Sequence, residues 1–238
     1  MYKMACYFFR NFLPVILCCN SGCKQNANEL AGKEKTVIVQ RLSFNVEFDS
    51  SLNNAQLKIK KDSTGITINA SKATDFFIDP DGSYAFSNAP VLLKKIDNTK
   101  PFTFTVEMKP EYKAKYDAGM AFIYVDDKHW LKFAFEADEK MNTRIVTVRT
   151  NETSDDNNHD IADVEIIFLK MSSDTKAIGF YYSIDGISWN LVRVFKNDFP
   201  PNMFLGIGTQ SPAGSGNKTI FYGAQLTDEP VKNFRLGK

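Results

Sequence analysis

The carboxylates of this chain fall in short clusters, and each cluster raises a chemistry. Glu47-Phe48-Asp49 and Glu136-Ala137-Asp138-Glu139 carry acidic side chains two residues apart. On a strand that spacing puts both on one face, as acid/base or nucleophilic work by paired carboxylates requires. Residues 151–160, NETSDDNNHD, gather Glu152, Asp155, Asp156, His159 and Asp160. Clustered oxygens suit Ca²⁺, but the run lacks the glycine at the sixth position of an EF-hand loop. It reads as a solvated acidic loop, with Ca²⁺ as the one cofactor alternative; no other cofactor is expected. His129 and His159 are the only histidines, too few for a His-rich metal site, and no Ser/His/Asp arrangement can be drawn. Cys6, Cys18, Cys19 and Cys23 all precede residue 24, so the rest of the chain holds no disulfide and no cysteine-ligated metal.

The stretch YVDDKHWLKF, residues 124–133, sets an aspartate pair between two apolar runs. Asp126 and Asp127 read as makers of a hairpin turn. On the strand that follows, His129, Leu131, Phe133 and Phe135 form one face and point to a core. Trp130, Lys132, Ala134 and Glu136 form the other. That second face offers an aromatic plane, a cation and a carboxylate, the mixture a sugar needs for its C–H faces and hydroxyls. Arg149 and Thr147 on a neighbouring strand, Tyr124 and Asp75 complete the expected ligand-binding set. The competing reading is a Lys–Glu pair on a solvated sheet, with Trp130 partly covered.

The elements that must position these residues are strands. From about residue 36 the pattern alternates, or runs apolar over short stretches, between turn signals such as DSTG (62–65), DPDG (79–82) and DG (185–186). The pattern predicts strands over 37–48, 56–60, 65–70, 89–95, 102–109, 118–125 and 129–137. It predicts others over 144–150, 163–171, 177–183, 188–194, 203–210, 220–226 and 231–236. Glu111–Tyr116 is the best helical stretch. Asp185-Gly186 reads as a turn over a buried Trp189. SPAGSGNK, residues 211–218, reads as a rim loop. Many short strands without an internal linker argue for one all-β domain over residues 37–238, a two-sheet antiparallel β-sandwich of jelly-roll type.

Several stretches in order resemble the concanavalin A-like lectin/glucanase superfamily, and within it the domain-of-unknown-function branch related to the regulation-of-enolase protein. They are ATDFF (73–77), NAPVLL (88–93), FTFTVEM (102–108), KYDAGMAFIY (115–124), DDKHWLKFAFE (126–136), YSIDGISW (182–189) and VKNFRL (231–236). The resemblance covers residues 42–236 and implies a sandwich with one concave sheet. It implies no defined activity. The acidic triplet of glucanases with this sandwich is missing. Glu47-Phe48-Asp49 is followed by SSLNN, and Glu136-Ala137-Asp138-Glu139 has the wrong spacing. The Gln-x-His pair of similar lyases is missing as well. No catalytic residue is therefore assigned, and a binding module for a glycan is expected. A protein-interaction domain and a hydrolase with a noncanonical site are the alternatives.

Residues 1–23 carry Lys3 and Arg10 ahead of an apolar run from Phe12 to Cys19, too short to span a bilayer and of signal-peptide length. Ser21-Gly22-Cys23 resembles a bacterial lipoprotein signal in which Cys23 would be lipidated, although Asn20 departs from the usual aliphatic residue. Residues 24–36 read as a tether. The expected location is the cell envelope, with membrane contact through the lipid anchor alone, or secretion. A formal net charge of +1 without basic clusters gives no footprint for nucleic acid.

Overall fold

The structure, a computed structural model, describes residues 41–238. The expected leader, the tether and the lipidation at Cys23 lie outside the described residues. In chain order the strands are β1 Ser50–Leu52, β2 Ile59–Asp62, β3 Gly65–Ser71, β4 Phe76–Ile78, β5 Ala85–Ser87, β6 Val91–Asp97, β7 Phe102–Glu111 and β8 Ala118–Asp126. They continue with β9 His129–Ala137, β10 Thr143–Asn151, β11 Thr153–Ile161, β12 Ile167–Ser173, β13 Ala177–Ser183, β14 Asn190–Lys196, β15 Asn202–Gln210 and β16 Gly216–Thr227. Two seven-stranded antiparallel sheets result, in the orders β1-β6-β15-β8-β9-β10-β11 and β14-β13-β12-β7-β16-β3-β2. The fold is thus the all-β sandwich that the alternating pattern dictates.

The main core lies between the sheets. From β9 it takes Leu131, Phe133 and Phe135, and the facing sheet supplies Phe104, Val106, Met108, Leu169, Met171 and Phe180. Phe133 stacks on Phe180 with ring centroids 4.8 Å apart. A second apolar cluster covers part of the other face of the first sheet. It unites Val91, Leu93, Met120, Phe122, Trp130 and Ala134 with Phe76, which the short β4–β5 hairpin lays over the sheet.

Several expectations need correction. The acidic run 151–160 is mostly β11, an edge strand paired with β10 from Asn151↔Thr153 to Arg144↔Ile161. It is polar because an edge strand exposes most of its side chains and must not invite further pairing. Residues 41–48 form no strand. Their start is held instead through a side chain: Leu42 N–H donates to Glu107 Oε2 at 2.9 Å, and Arg41 pairs with the other oxygen of that buried carboxylate. The segment passes so close to Gly223 that a Cβ there would lie 2.5 Å from the Leu42 backbone. Residues 112–116 form no helix, because Lys113 and Ala114 donate their N–H groups to Asp117 Oδ2, both at 2.9 Å. The stretch 231–236 is a turn closed on Asn233, whose Oδ1 accepts from Arg235 and Leu236. The expected strand from Gln56 opens as a 3₁₀ turn, Ala55–Leu57.

The turns behave as their residues dictate. Asp185 Oδ1 accepts the Ile187 and Ser188 N–H groups at 2.8 and 2.7 Å, which lowers its carboxyl to about 2. The ring beneath Gly186 is Phe168, not Trp189. Trp189 is half-buried under the Lys170 ammonium, 3.6 Å from its ring centroid. Asp126 accepts the Lys128 N–H at 2.9 Å and contacts His129 Nδ1 at 2.8 Å, and Asp127 accepts from the Tyr124 hydroxyl at 2.7 Å.

Candidate functional site

Strand alternation sends Trp130, Lys132, Ala134 and Glu136 of β9 to the outer face of the first sheet, away from the main core. That face divides in two. Around Trp130 it is dry and covered: the indole is fully buried, stacked on Phe122 at 5.6 Å and edge-on to Phe76 at 5.4 Å. Towards Lys132 and Glu136 the cover stops and a cavity of about 490 Å³ opens. Its apolar base is Val146 and Val148 of β10. Phe77 and Tyr84 of the β4–β5 hairpin and Tyr116 line it, together with Pro212 and Ala213 of the expected rim loop.

A chain of polar groups runs through this floor. The Tyr84 hydroxyl donates to Asp75 Oδ2 at 3.1 Å. Lys132 Nζ contacts Asp75 Oδ1 at 3.4 Å and donates to Gln210 Oε1 at 3.1 Å. The Gln210 amide N–H₂ donates to the Tyr116 carbonyl at 3.1 Å and to Glu136 Oε2 at 3.4 Å. Asp75 is itself fixed by its backbone. Its carbonyl accepts from Asn88 and Ala89, and its Oδ1 accepts the Phe76 N–H at 2.8 Å. Each link therefore satisfies a buried polar group that would otherwise destabilise the fold.

The electrostatics follow from burial. Glu136 is pushed up to about 8, chiefly because burial penalises its charged form; Lys132 pulls it down, and Asp75, Asp156 and Asp138 push it up. Near neutral pH it is a carboxylic acid that can both donate and accept a hydrogen bond. Asp156 on β11 is also raised, by burial first, with Lys132 opposing. Tyr84 is held well above its ordinary range by burial and by the neighbouring Asp75 charge.

Of the seven residues expected from sequence, Asp75, Lys132 and Glu136 share the cavity. The other four lie elsewhere. Trp130 is sealed under the hairpin, so its ring offers no stacking plane. Tyr124 shares the outer face but lies beyond Trp130, against Phe122 and Phe204. Arg149 pairs with Leu131 in the ladder and so follows the opposite face. It meets Asp198 at 3.2 Å beside a smaller cavity of about 350 Å³. Thr147 likewise opposes Phe133 on the core side, where its hydroxyl meets His159 Nε2 at 2.9 Å.

Sequence reasoning missed Gln210, Tyr84, Tyr116 and Asp156 at the cavity. Only Asp156 had a signal, as part of the acidic run. That run does not form one ligand cluster: Asp155 pairs with Arg193, Asp160 accepts from the Tyr182 hydroxyl, and Asp156 lines the cavity. Among the described residues no three His, Cys, Asp or Glu side chains stand close enough to hold a metal ion.

Comparison with known proteins places the architecture. Residues 52–229 match the family described as "Protein of unknown function (DUF1349)". A relative from Saccharomyces cerevisiae named "Regulation of enolase protein 1" is 23% identical over 163 residues, spanning 68% of this chain and 81% of that protein. A solved structure of a functionally unknown protein from Saccharomyces cerevisiae superposes with a TM-score of 0.69 at 22% identity, covering 76% of this chain and 96% of the other. The GH43 protein BlXynB of Bacillus licheniformis gives 0.55 at 14% identity over 69% of this chain, which spans only 33% of that protein. Alginate lyase A1-II′, of polysaccharide lyase family 7, gives 0.50 at 11% identity over 73% of this chain and 84% of the lyase. At these identities the structural likeness speaks for the fold alone.

Proposed function

This chain belongs to the DUF1349 family, whose function is unknown, and from that premise we propose that it is a non-catalytic binding module whose ligand is a glycan. One observation carries the reading. The cavity on the outer face of the first sheet joins aromatic walls to a connected set of fixed polar groups, Asp75, Lys132, Gln210 and Glu136. Such a set offers hydroxyl donors and acceptors in a pre-formed arrangement, and Tyr84, Tyr116 and Phe77 offer surfaces for C–H faces. The fold is shared with carbohydrate-active proteins, which supports the reading by analogy only. We place the module at the cell envelope, held by a lipid on Cys23 after removal of the leader. Intact-mass measurement of membrane-extracted protein tests this; an unmodified Met1 start would refute it.

A glycan array probed with the wild type and with Gln210→Ala tests the ligand. Binding that falls at least tenfold in the variant supports the cavity. A blank array from folded protein favours a protein partner instead. A second reading, hydrolysis at a noncanonical site, is favoured by Glu136 alone: a protonated carboxyl beside Asp75 and Asp156 is the pairing acid/base catalysis uses. Release of reducing ends from the bound glycan would establish it.

A further inference from the structure

The charge around the cavity is one-sided. Asp75, Asp79, Glu136, Asp138, Glu139 and Asp156 line it, against Lys132 as the sole basic lining residue among the described residues. Lys132 is already engaged by Asp75 and Gln210, and Asp138 is held by Arg144 at 3.2 Å and by Asn142. Asp79, Glu136, Glu139 and Asp156 have no ion-pair partner among the described residues. A second, independent observation concerns Glu136 itself. It is only 8% exposed, yet its one hydrogen bond is a long 3.4 Å contact from Gln210 to Oε2. Its Oε1 accepts nothing from the described residues. Glu136 lines the cavity, and this oxygen is left open to an incoming donor.

An anionic sugar would bring its carboxylate or sulfate into this field and meet no free cation among the described residues. An ammonium would meet carboxylates on several sides and the rings of Tyr84 and Tyr116 for cation–π contact. On the reading that the cavity holds a sugar, we infer that this sugar carries a free amino group and that Glu136 receives its ammonium. Binding then has a balanced proton step. The Glu136 O–H bond breaks, its proton goes to the buffer, and the incoming ammonium donates an N–H to the carboxylate left behind. The groups that face Glu136 and share its field are Lys132 and Asp138 from β9 and its end, Asp75 ahead of β4, Asp156 on β11, and Tyr112 and Tyr116.

The experiment is titration calorimetry at pH 6 in two buffers of different ionisation enthalpy. The probes are glucosamine, N-acetylglucosamine and galacturonate oligomers of equal length. The expected result is glucosamine binding at least about tenfold tighter than the acetylated oligomer, no measurable uronate binding, and close to one proton released per site. Glu136→Gln, checked for folding by circular dichroism, is expected to lose the proton release and most of the preference. Asp156→Asn, at the cavity rim, is expected to reduce the preference without removing the proton release. Acetylated or uronate oligomers that bind as tightly as glucosamine overturn the inference and leave the sugar reading standing. Amine binding without proton release, unchanged in Glu136→Gln, overturns the role of Glu136. Failure of every oligomer on folded protein removes the sugar reading and the inference together.

Discussion

Trp130 and Lys132 are two residues apart on one strand and share one face, yet they stand in opposite surroundings. Trp130 is dry, stacked on Phe122 with Phe76 edge-on, and sealed. Lys132 is as well covered by protein, but its head joins Asp75 and Gln210 at the wall of a cavity. The strand does not make this difference, since alternation treats both positions alike. What lies over them makes it. The β4–β5 hairpin covers the Trp130 end with Phe76, while at the other end the same hairpin contributes Tyr84 and the preceding Asp75 to the polar chain. One short hairpin thus builds both an apolar cluster and a ligand-ready wall.

The dry end should give the largest effect. Trp130→Ala leaves a cavity under Phe76 and Phe122, and denaturant unfolding should show a loss of about 3–5 kcal/mol. A loss below about 1 kcal/mol would mean that the hairpin does not cover this end at all. Lys132→Met should cost somewhat less, about 2–4 kcal/mol, because Asp75 keeps its buried charge without its cation. Adding Asp75→Asn to that variant should recover most of the loss, since neither charge then remains. An unrecovered double variant would show that Asp75 is held by its backbone contacts alone.

Glu136 brings a pH dependence to the polar end. Its carboxyl stands near 8 in the folded chain, against about 4.5 when exposed. Between those values the folded state binds the extra proton, so this residue makes stability fall as pH rises and leaves it level below about 4.5. Unfolding free energies measured from pH 5 to 8 should fall by on the order of 3–4 kcal/mol from this group. Glu136→Gln should flatten that slope. An equal slope in the variant would locate the dependence elsewhere.

The contrast between the ends also marks what a sequence can carry. The two faces of β9 are legible because alternation is local, and the aspartates of 126–127 and 185 announce their turns through their own side chains. The Trp130 environment was not legible. It depends on three-residue strands around Asp79–Gly82, too short to leave a periodic trace. Asp75 and Lys132 are 57 residues apart, and Gln210 lies 78 further along from Lys132, so only the tertiary fold joins them. The edge strand β11 escaped notice for another reason: exposure at a sheet margin removes the apolar residues by which strands are recognised. Register was the remaining gap. A neighbouring strand was correctly expected beside β9, but which of its residues share the Lys132 face depends on the pairing Val148↔Lys132 and Arg149↔Leu131.

That register yields the smallest predicted effect, and it is the control for the rest. Arg149 follows the Leu131 face and meets Asp198 where both side chains are partly exposed to water, at 31% and 47%. The pair is screened, so Arg149→Ala should change unfolding free energy by less than about 0.5 kcal/mol. It should also leave binding at the Lys132 cavity within twofold, because the sheet itself separates the two side chains. Lys132→Met and Arg149→Ala each remove one cation from adjacent strands, at positions on opposite faces of the sheet. If both weakened the same ligand equally, the cavity would not be the place where that ligand binds. A loss confined to Lys132→Met is what the opposite faces of one sheet require.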